Sequence, residues 1–283
     1  MARLRAIQWQ TDAFQFAVEM GAIELQVRKM KETLFLTFGT AALIYLGLCV
    51  FLFFAQRSLL YRPGPETHGT DADELRIESV DVSLKIWNFN PGHARAIIYF
   101  GGNAEDVYWN VPTFREIFHD YSVYLVNYRG YGGSSGSTSE TALLEDAALI
   151  FDRLASRHES ISIIGRSLGT GVATYLASIR DVKKMVLVTP FDSIVSVAKR
   201  GYPIFPVSLF MRDRYDSFGR AGSIESTTLV IIAENDEIIL RESSERLISA
   251  FKSTDVRVEI IDDATHNSIG NTSLYLQLLN DYF

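Results

Sequence analysis

The chain has 283 residues, a formal charge of −7, and 22% charged and 12% aromatic residues; that length suits one large domain with an extension. The acidic balance leaves no basic footprint and argues against nucleic acid as a partner. The single cysteine, Cys49, excludes a disulfide framework or a cysteine-based metal site within one chain; it does not locate the compartment, though it suits an oxidising one.

Residues 1–32 carry two patterns. Phe14, Val18 and Leu25 follow a helical stripe, while Ile23, Leu25 and Val27 alternate as in a strand. These residues read as an N-terminal extension, with Met30-Lys31 as an alternative start of the functional protein. From Thr33 to Gln56 the sequence TLFLTFGTAALIYLGLCVFLFFAQ holds no charged residue. At about 1.5 Å per residue it crosses a hydrocarbon layer of roughly 30 Å, and a core helix is rarely apolar on every face. Residues 33–56 are therefore expected to span a membrane. The run is too long for a signal-peptide core and no A-x-A site follows it, and the bulky Leu48 argues against lipoprotein processing at Cys49. Arg28, Lys29 and Lys31 precede the span, Arg57 and Arg62 follow it, and Arg3 and Arg5 lie further out. That bias puts the N-terminus in the cytoplasm and the large C-terminal part on the opposite side.

Residues 57–74, with two prolines and two glycines, read as a juxtamembrane linker. A domain is expected over 75–283. Leu75–Phe89 reads as a strand pair, with Val80, Val82, Leu84 and Ile86 alternating with polar residues. RAIIYF (95–100) is a continuous apolar run, as in a strand buried on both faces. A helix is expected over 104–118, a strand over 121–128, a helix from Thr138-Ser139-Glu140 to Leu154, and a strand–turn–helix over 161–174. Strands at 184–188, 227–233 and 256–261 and helices at 241–251 and 267–283 complete the pattern. Such alternation requires a mostly parallel sheet with helices on both faces and a site along the carboxyl ends of its strands. Residues 191–222 interrupt it and read as a helical insertion, whose apolar residues either line a hydrophobic pocket or pack onto the sheet.

The strand–turn–helix holds Gly165-Arg166-Ser167-Leu168-Gly169, a G-x-S-x-G. A nucleophilic serine must project beyond the sheet on a tight turn, where side chains two residues to either side would collide, so glycine is required there. The helix that follows aims its N-terminal N–H groups at the reaction centre. A serine nucleophile needs a base, a group that orients the base, and oxyanion donors. His266 follows the last strand, on a loop that reaches the same sheet edge; His68, His93, His119 and His158 read as solvated surface residues. In Glu234-Asn235-Asp236-Glu237 the acid is assigned to Asp236, because Ser…Asp…His is a known chain order for such triads; Asp192 is the alternative. The oxyanion donors are the N–H of Leu168 and one from Gly101-Gly102-Asn103, with Asn103 preferred and Gly102 next. No metal or organic cofactor is required.

With these residues in place the chain resembles the membrane-anchored α/β-hydrolases of the serine-aminopeptidase-like superfamily, near the depalmitoylase-type and bacterial single-span hydrolases. The resemblance runs from about Leu59 to the C-terminus through LLYRP, GGNAED, NYRGYGGSSGSTSE, GRSLGTG, TPFDS, AENDEII and THN. It departs where many relatives have His-Gly-Asn and this chain has Gly101-Gly102-Asn103. The resemblance implies an α/β-hydrolase fold and a tethered serine hydrolase. Its substrates would be acyl esters or thioesters, lipid-linked ones included, with peptides as the alternative. A silent hydrolase-fold scaffold is the other reading of the chain. Carboxylate-nucleophile chemistry is disfavoured by Ser167, and Arg129 is expected to hold structure rather than to act on substrate.

Overall fold

The architecture is that of a computed structural model, which describes residues 2–79, 82–253 and 255–283, with side chains at 7, 9 and from 12 onward. Val80, one of the alternating residues, and the side chains of Arg3 and Arg5 lie outside the described residues. The chain divides into two compact units, Met1–Ala55 and Gln56–Phe283.

The described residues of the first unit are helical: α1 runs over Ala2–Leu60, its last residues belonging to the second unit. The strand alternation at Ile23, Leu25 and Val27 is not realised. It is short and lies among Glu24, Gln26, Arg28, Met30 and Lys31, all good helix formers. The helix continues unbroken from this stretch into the uncharged run, and by length and composition it is able to cross a membrane.

The second unit is built on an eight-stranded sheet. Its strands are β1 (Asp73–Ser79), β2 (Val82–Phe89), β3 (Arg95–Phe100), β4 (Ser122–Val126), β5 (Ser160–Arg166), β6 (Lys184–Val188), β7 (Thr227–Ala233) and β8 (Val256–Ile261). The order is β1-β2-β4-β3-β5-β6-β7-β8. The pairs β1–β2 and β2–β4 are antiparallel, and every pair from β4 to β8 is parallel. Period-2 alternation divides the sheet's side chains between two cores. Ala96, Ile98, Phe100, Ile163, Leu187 and Val230 pack on one face. Ile97, Tyr99, Ile164, Val188 and Ile231 pack on the other. Burial of both faces explains the near-continuous apolar runs of β3, β6 and β7.

The helices are α2 (Val111–Ile117), α3 (Glu140–Ala155), α4 (Leu168–Ile179), α5 (Ile194–Gly201), α6 (Val207–Phe210), α7 (Ser217–Ala221), α8 (Arg241–Ser249) and α9 (Ser273–Tyr282). The region read as an insertion thus holds α5, α6 and α7. Two helices begin later than the sequence pattern predicts. Ala104 has φ +67° and Asp106 accepts from the N–H of Tyr108, so a 3₁₀ turn over Val107–Asn110 leads into α2. Near the C-terminus Thr272 caps α9 by accepting from the N–H of Tyr275.

Residues 61–72 have no strand or helix, yet they are fastened to the domain. The Tyr61 hydroxyl is 3.0 Å from that of Tyr215, Gly132 N–H donates to Gly64 O, and Thr67 Oγ1 donates to Asp106. Lys85, fully buried, donates to Glu66 and to Thr67 O at 2.9 Å each and pairs with Glu74 at 3.1 Å.

From β3 the chain passes to β4 on one side, and from β4 it crosses back to β5 on the other side of β3. In parallel α/β sheets such a reversal opens a crevice outside the carboxyl ends of the strands. Phe100 pairs with Gly165 across it. The loop after β3 and the turn after β5 are therefore neighbours.

Candidate active site

The turn after β5 is tight for reasons visible at each glycine. Ser167 has φ +49° and ψ −114°, a conformation that is costly for a residue with a side chain and that persists only where its surroundings enforce it. A Cβ at Gly165 would come 2.5 Å from Gly169 O and 2.8 Å from Ala173 Cβ, and a Cβ at Gly169 would overlap Phe100 O. The absent side chains let α4 start directly against β3 and β5. Ser167 N–H donates to Val188 O at 2.9 Å, and Thr170 N–H and Oγ1 both donate to Ser167 O. The serine backbone is thus clamped between β6 and the first turn of α4.

Asp236 lies just beyond β7 and His266 on the loop after β8; both are buried. The N–H groups of Ile238 and Ile239 donate to Asp236 Oδ1 at 2.9 and 2.7 Å, which fixes the carboxylate. His266 Nδ1 lies 2.8 and 3.0 Å from the two Asp236 oxygens. His266 Nε2 lies 2.9 Å from Ser167 Oγ. With Nδ1 bound to a carboxylate, the neutral imidazole carries its proton there and turns an acceptor toward the hydroxyl. Three residues far apart in sequence therefore form one hydrogen-bonded chain at the rim of the sheet.

Asp192 does not join it. It accepts from Ser243 Oγ at 2.6 Å and Ser196 Oγ at 2.8 Å, tying α5 to α8. His158 is not a solvated surface residue: it is half-buried, 2.9 Å from the Tyr124 hydroxyl and from His93 O. His68 and His119 are exposed, and His93 is half-buried.

Leu168 is the first residue of α4, where a backbone N–H has no partner within its own helix. Across the crevice, a Cβ at Gly102 would stand 3.7 Å from Ser167 Cβ, so the loop after β3 lies against the serine. Gly102 N–H, however, donates to Glu105 Oε2 at 2.6 Å. This corrects the expectation that Gly102 is available as a donor, and it leaves the N–H of Asn103 as the loop's candidate. The Asn103 side chain faces the juxtamembrane segment. Its Nδ2 donates to Leu60 O, and its Oδ1 accepts from Arg62 N–H at 3.0 Å and from the Tyr131 hydroxyl at 2.8 Å. Burial pushes the Tyr131 hydroxyl up to about 12, so it stays protonated and able to donate.

Glu105 and Arg166 are side chains beside Ser167 and its loop that the sequence reading did not assign to the site. Glu105 accepts from the Tyr99 hydroxyl at 2.7 Å, Asn110 Nδ2 at 2.8 Å and Gly102 N–H, and pairs with Arg166 at 3.4 Å. Burial, and then the nearby Glu105 charge, holds the Tyr99 hydroxyl well above its ordinary pKa, so it remains a donor. Arg166 also reaches His266 O at 3.4 Å. The pair links the loop after β3 to the loop that carries His266. Glu105 stands in GGNAED and Arg166 inside the G-x-S-x-G, so the motifs marked both places but not their contact. Arg129 holds the buried Asp146 through two hydrogen bonds of 2.8 and 2.5 Å. Among the described residues no cluster of histidine, cysteine and carboxylate groups is arranged to hold a metal ion.

Residues 95–215 match the alpha/beta hydrolase fold family. An uncharacterized protein of Mycobacterium tuberculosis is 32% identical over 224 residues, covering 74% of this chain and 80% of that protein. An uncharacterized membrane protein of Saccharomyces cerevisiae is 26% identical over 231 residues, covering 77% and 81%. Among solved structures, an esterase of Pyrococcus furiosus superposes with a TM-score of 0.63 at 18% identity, over 78% of this chain and 98% of its own. Sheet order, the turn at Ser167 and these likenesses agree: the chain belongs to the α/β-hydrolase family.

Proposed function

We propose that the protein is a membrane-anchored serine hydrolase that cleaves acyl esters or thioesters through Ser167, His266 and Asp236. The observation that carries the reading is the unbroken hydrogen-bonded path from Ser167 Oγ through the imidazole to the Asp236 carboxylate. Ser167 Oγ attacks the acyl carbonyl as His266 Nε2 takes its proton. The tetrahedral oxyanion is held by the N–H groups of Leu168 and Asn103. His266 returns the proton to the leaving oxygen or sulfur as the C–O or C–S bond breaks, leaving an acyl-serine. Water, deprotonated by His266, then attacks the acyl carbon, and the imidazolium returns that proton to Ser167 Oγ as the acyl–serine bond breaks and the acid leaves. Asp236 keeps the imidazole in one tautomer and stabilises the imidazolium.

The uncharged run at 33–56 supports anchoring, as does the yeast relative named as a membrane protein. The basic residues ahead of the run favour a cytoplasmic N-terminus with the hydrolase unit on the other side. A tethered enzyme meets lipid-linked acyl groups without diffusing to them, which favours these substrates over peptides.

A fluorophosphonate probe applied to membranes bearing the full chain tests the reading. Wild type is expected to label and Ser167→Ala to lose all label, with hydrolysis of nitrophenyl esters and acyl-CoAs lost in parallel. Absence of labelling in wild type that is folded by circular dichroism would sink the proposal and favour a scaffold role.

A further inference from the structure

The stretch 199–214, KRGYPIFPVSLFMRDR, joins the end of α5 to the approach to α7. In a folded domain its apolar side chains would ordinarily turn inward. Here Ile204 is 71% and Leu209 76% exposed, and Tyr202 and Phe210 are exposed as well. Large exposed apolar side chains grouped on one segment mark an interaction surface rather than a random scatter. Charge narrows the choice of partner. Lys199, Arg200, Arg212 and Arg214 are exposed, while the segment's one carboxylate, Asp213, is buried and bound by Arg57 at 2.9 and 3.1 Å. The outward face is thus apolar and cationic together, the combination that settles at a membrane interface with chains among the acyl groups and cations among phosphates.

Chain continuity supplies the second argument. Gln56 closes the uncharged run of the sequence. Its Nε2 donates to Phe210 O at 3.4 Å and its Oε1 accepts from Arg212 N–H at 2.8 Å. The residue that ends the apolar run is therefore bonded to this same segment.

We propose that residues 199–214 dock on an anionic phospholipid surface, Ile204 and Leu209 entering the acyl boundary while Lys199, Arg200 and Arg214 meet the phosphates. The inference rests on the membrane-anchor reading and adds a second, interfacial attachment to it.

The test uses the full chain in vesicles of phosphatidylcholine mixed with phosphatidylglycerol. In a Cys49→Ser background, Leu209→Cys carries a nitrobenzoxadiazole label. A second protein carries the label at Ile179→Cys, an exposed apolar site at the far end of α4. Spin-labelled lipid is expected to quench most of the emission at position 209 and to leave position 179 unchanged, with weaker quenching at 209 in phosphatidylcholine alone. Equal, negligible quenching at both sites in protein that floats with the vesicles would overturn the docking surface and leave the anchor standing. Equal quenching at 209 in both lipids would overturn the role given to the cations. Protein that fails to float, or that alkaline carbonate extracts, would overturn the anchor reading and this inference with it.

Discussion

Removing the Glu105 carboxylate probes how the loop after β3 is held. Its side chain is 12% exposed and serves Tyr99, Asn110, Gly102 N–H and Arg166 at once. In Glu105→Ala the buried Tyr99 hydroxyl and Gly102 N–H lose their acceptor, at about 1–3 kcal/mol for each buried donor left unpaired. The Arg166 guanidinium loses its counter-ion, and breaking a buried pair costs about 3–5 kcal/mol. These overlap because one side chain supplies all of them, so we take about 3–5 kcal/mol as the whole loss. For a domain of this size that lowers Tm by roughly 6–20 °C. Glu105→Gln keeps the volume and one oxygen, so its loss is smaller, at about 1–3 kcal/mol. The amide must still set an N–H₂ against either Gly102 N–H and Arg166 or the Asn110 N–H₂, and the loop shifts. Because that loop carries the Asn103 N–H, kcat on a soluble nitrophenyl ester is expected to fall about 10²-fold, the low end of deleting an oxyanion donor, with KM little changed. Tm by near-ultraviolet circular dichroism in detergent and steady-state kinetics on both variants read the two effects. A Gln variant with wild-type kcat and an Ala variant with wild-type Tm would refute the role given to Glu105.

Gly169→Ala sets a methyl against Phe100 O and within 2.8 Å of Gly101 O. These are backbone atoms that cannot yield, so a loss of about 3 kcal/mol or more is expected in denaturant titration, while Gly201→Ala, with nothing within 4 Å, serves as the neutral control. Lys85, first by its hydrogen bond and then by its charge, holds the Glu66 carboxyl below the ordinary glutamate range. A depressed carboxylate adds stability above its unfolded pKa and loses it as pH falls through the folded value, so Lys85→Met is expected to flatten the acid limb of Tm against pH. A chain beginning at Gln56 keeps the Leu60 and Arg62 partners of Asn103 and is expected to hydrolyse soluble esters, whereas one beginning at Pro63 loses them together with the Arg57–Asp213 pair and is expected to lose most of its kcat on the same assay.

The sheet was legible because burial on both faces writes itself as uninterrupted apolar runs. The strands at 184–188 and 227–233 fall where that pattern puts them, and the edge strand at 256–261, which carries Arg257 and Glu259 and is only partly buried, also lies where it was expected. That Ser167, Asp236 and His266 meet was legible for another reason. Ser167 follows β5 directly, Asp236 and His266 lie on the loops after β7 and β8, and the carboxyl ends of parallel strands share one edge, so these loops converge there. Legibility fails where a side chain's partner is distant in sequence. No local pattern announces that Glu105 meets Arg166, that Asn103 meets Leu60, or that His158 packs on Tyr124 rather than facing water. Helix starts fail for a related reason: Ala104 and Asp106 look helical by composition, yet the backbone there turns so that Glu105 folds back onto Gly102.

That fold-back bears on Gly101-Gly102-Asn103, where the sequence departs from the pattern it resembles. A Cβ on Gly101 would stand 2.6 Å from Val107 Cγ1 and 3.3 Å from Glu105 Oε2. The space an imidazole would begin to occupy is therefore filled by the residues that follow the loop. With no side chain at 101, the loop has to be ordered from its other end. The Glu105 carboxylate does this by gripping Gly102 N–H from one side and Arg166 from the other, and Tyr128 adds a hydrogen bond to Gly101 O at 2.8 Å. Burial drives the Tyr128 hydroxyl well above its ordinary pKa, so it stays protonated as a donor. An acceptor for the loop's N–H and a donor for its carbonyl come from groups that are themselves packed and bonded, the condition under which a backbone hydrogen bond positions rather than merely tethers.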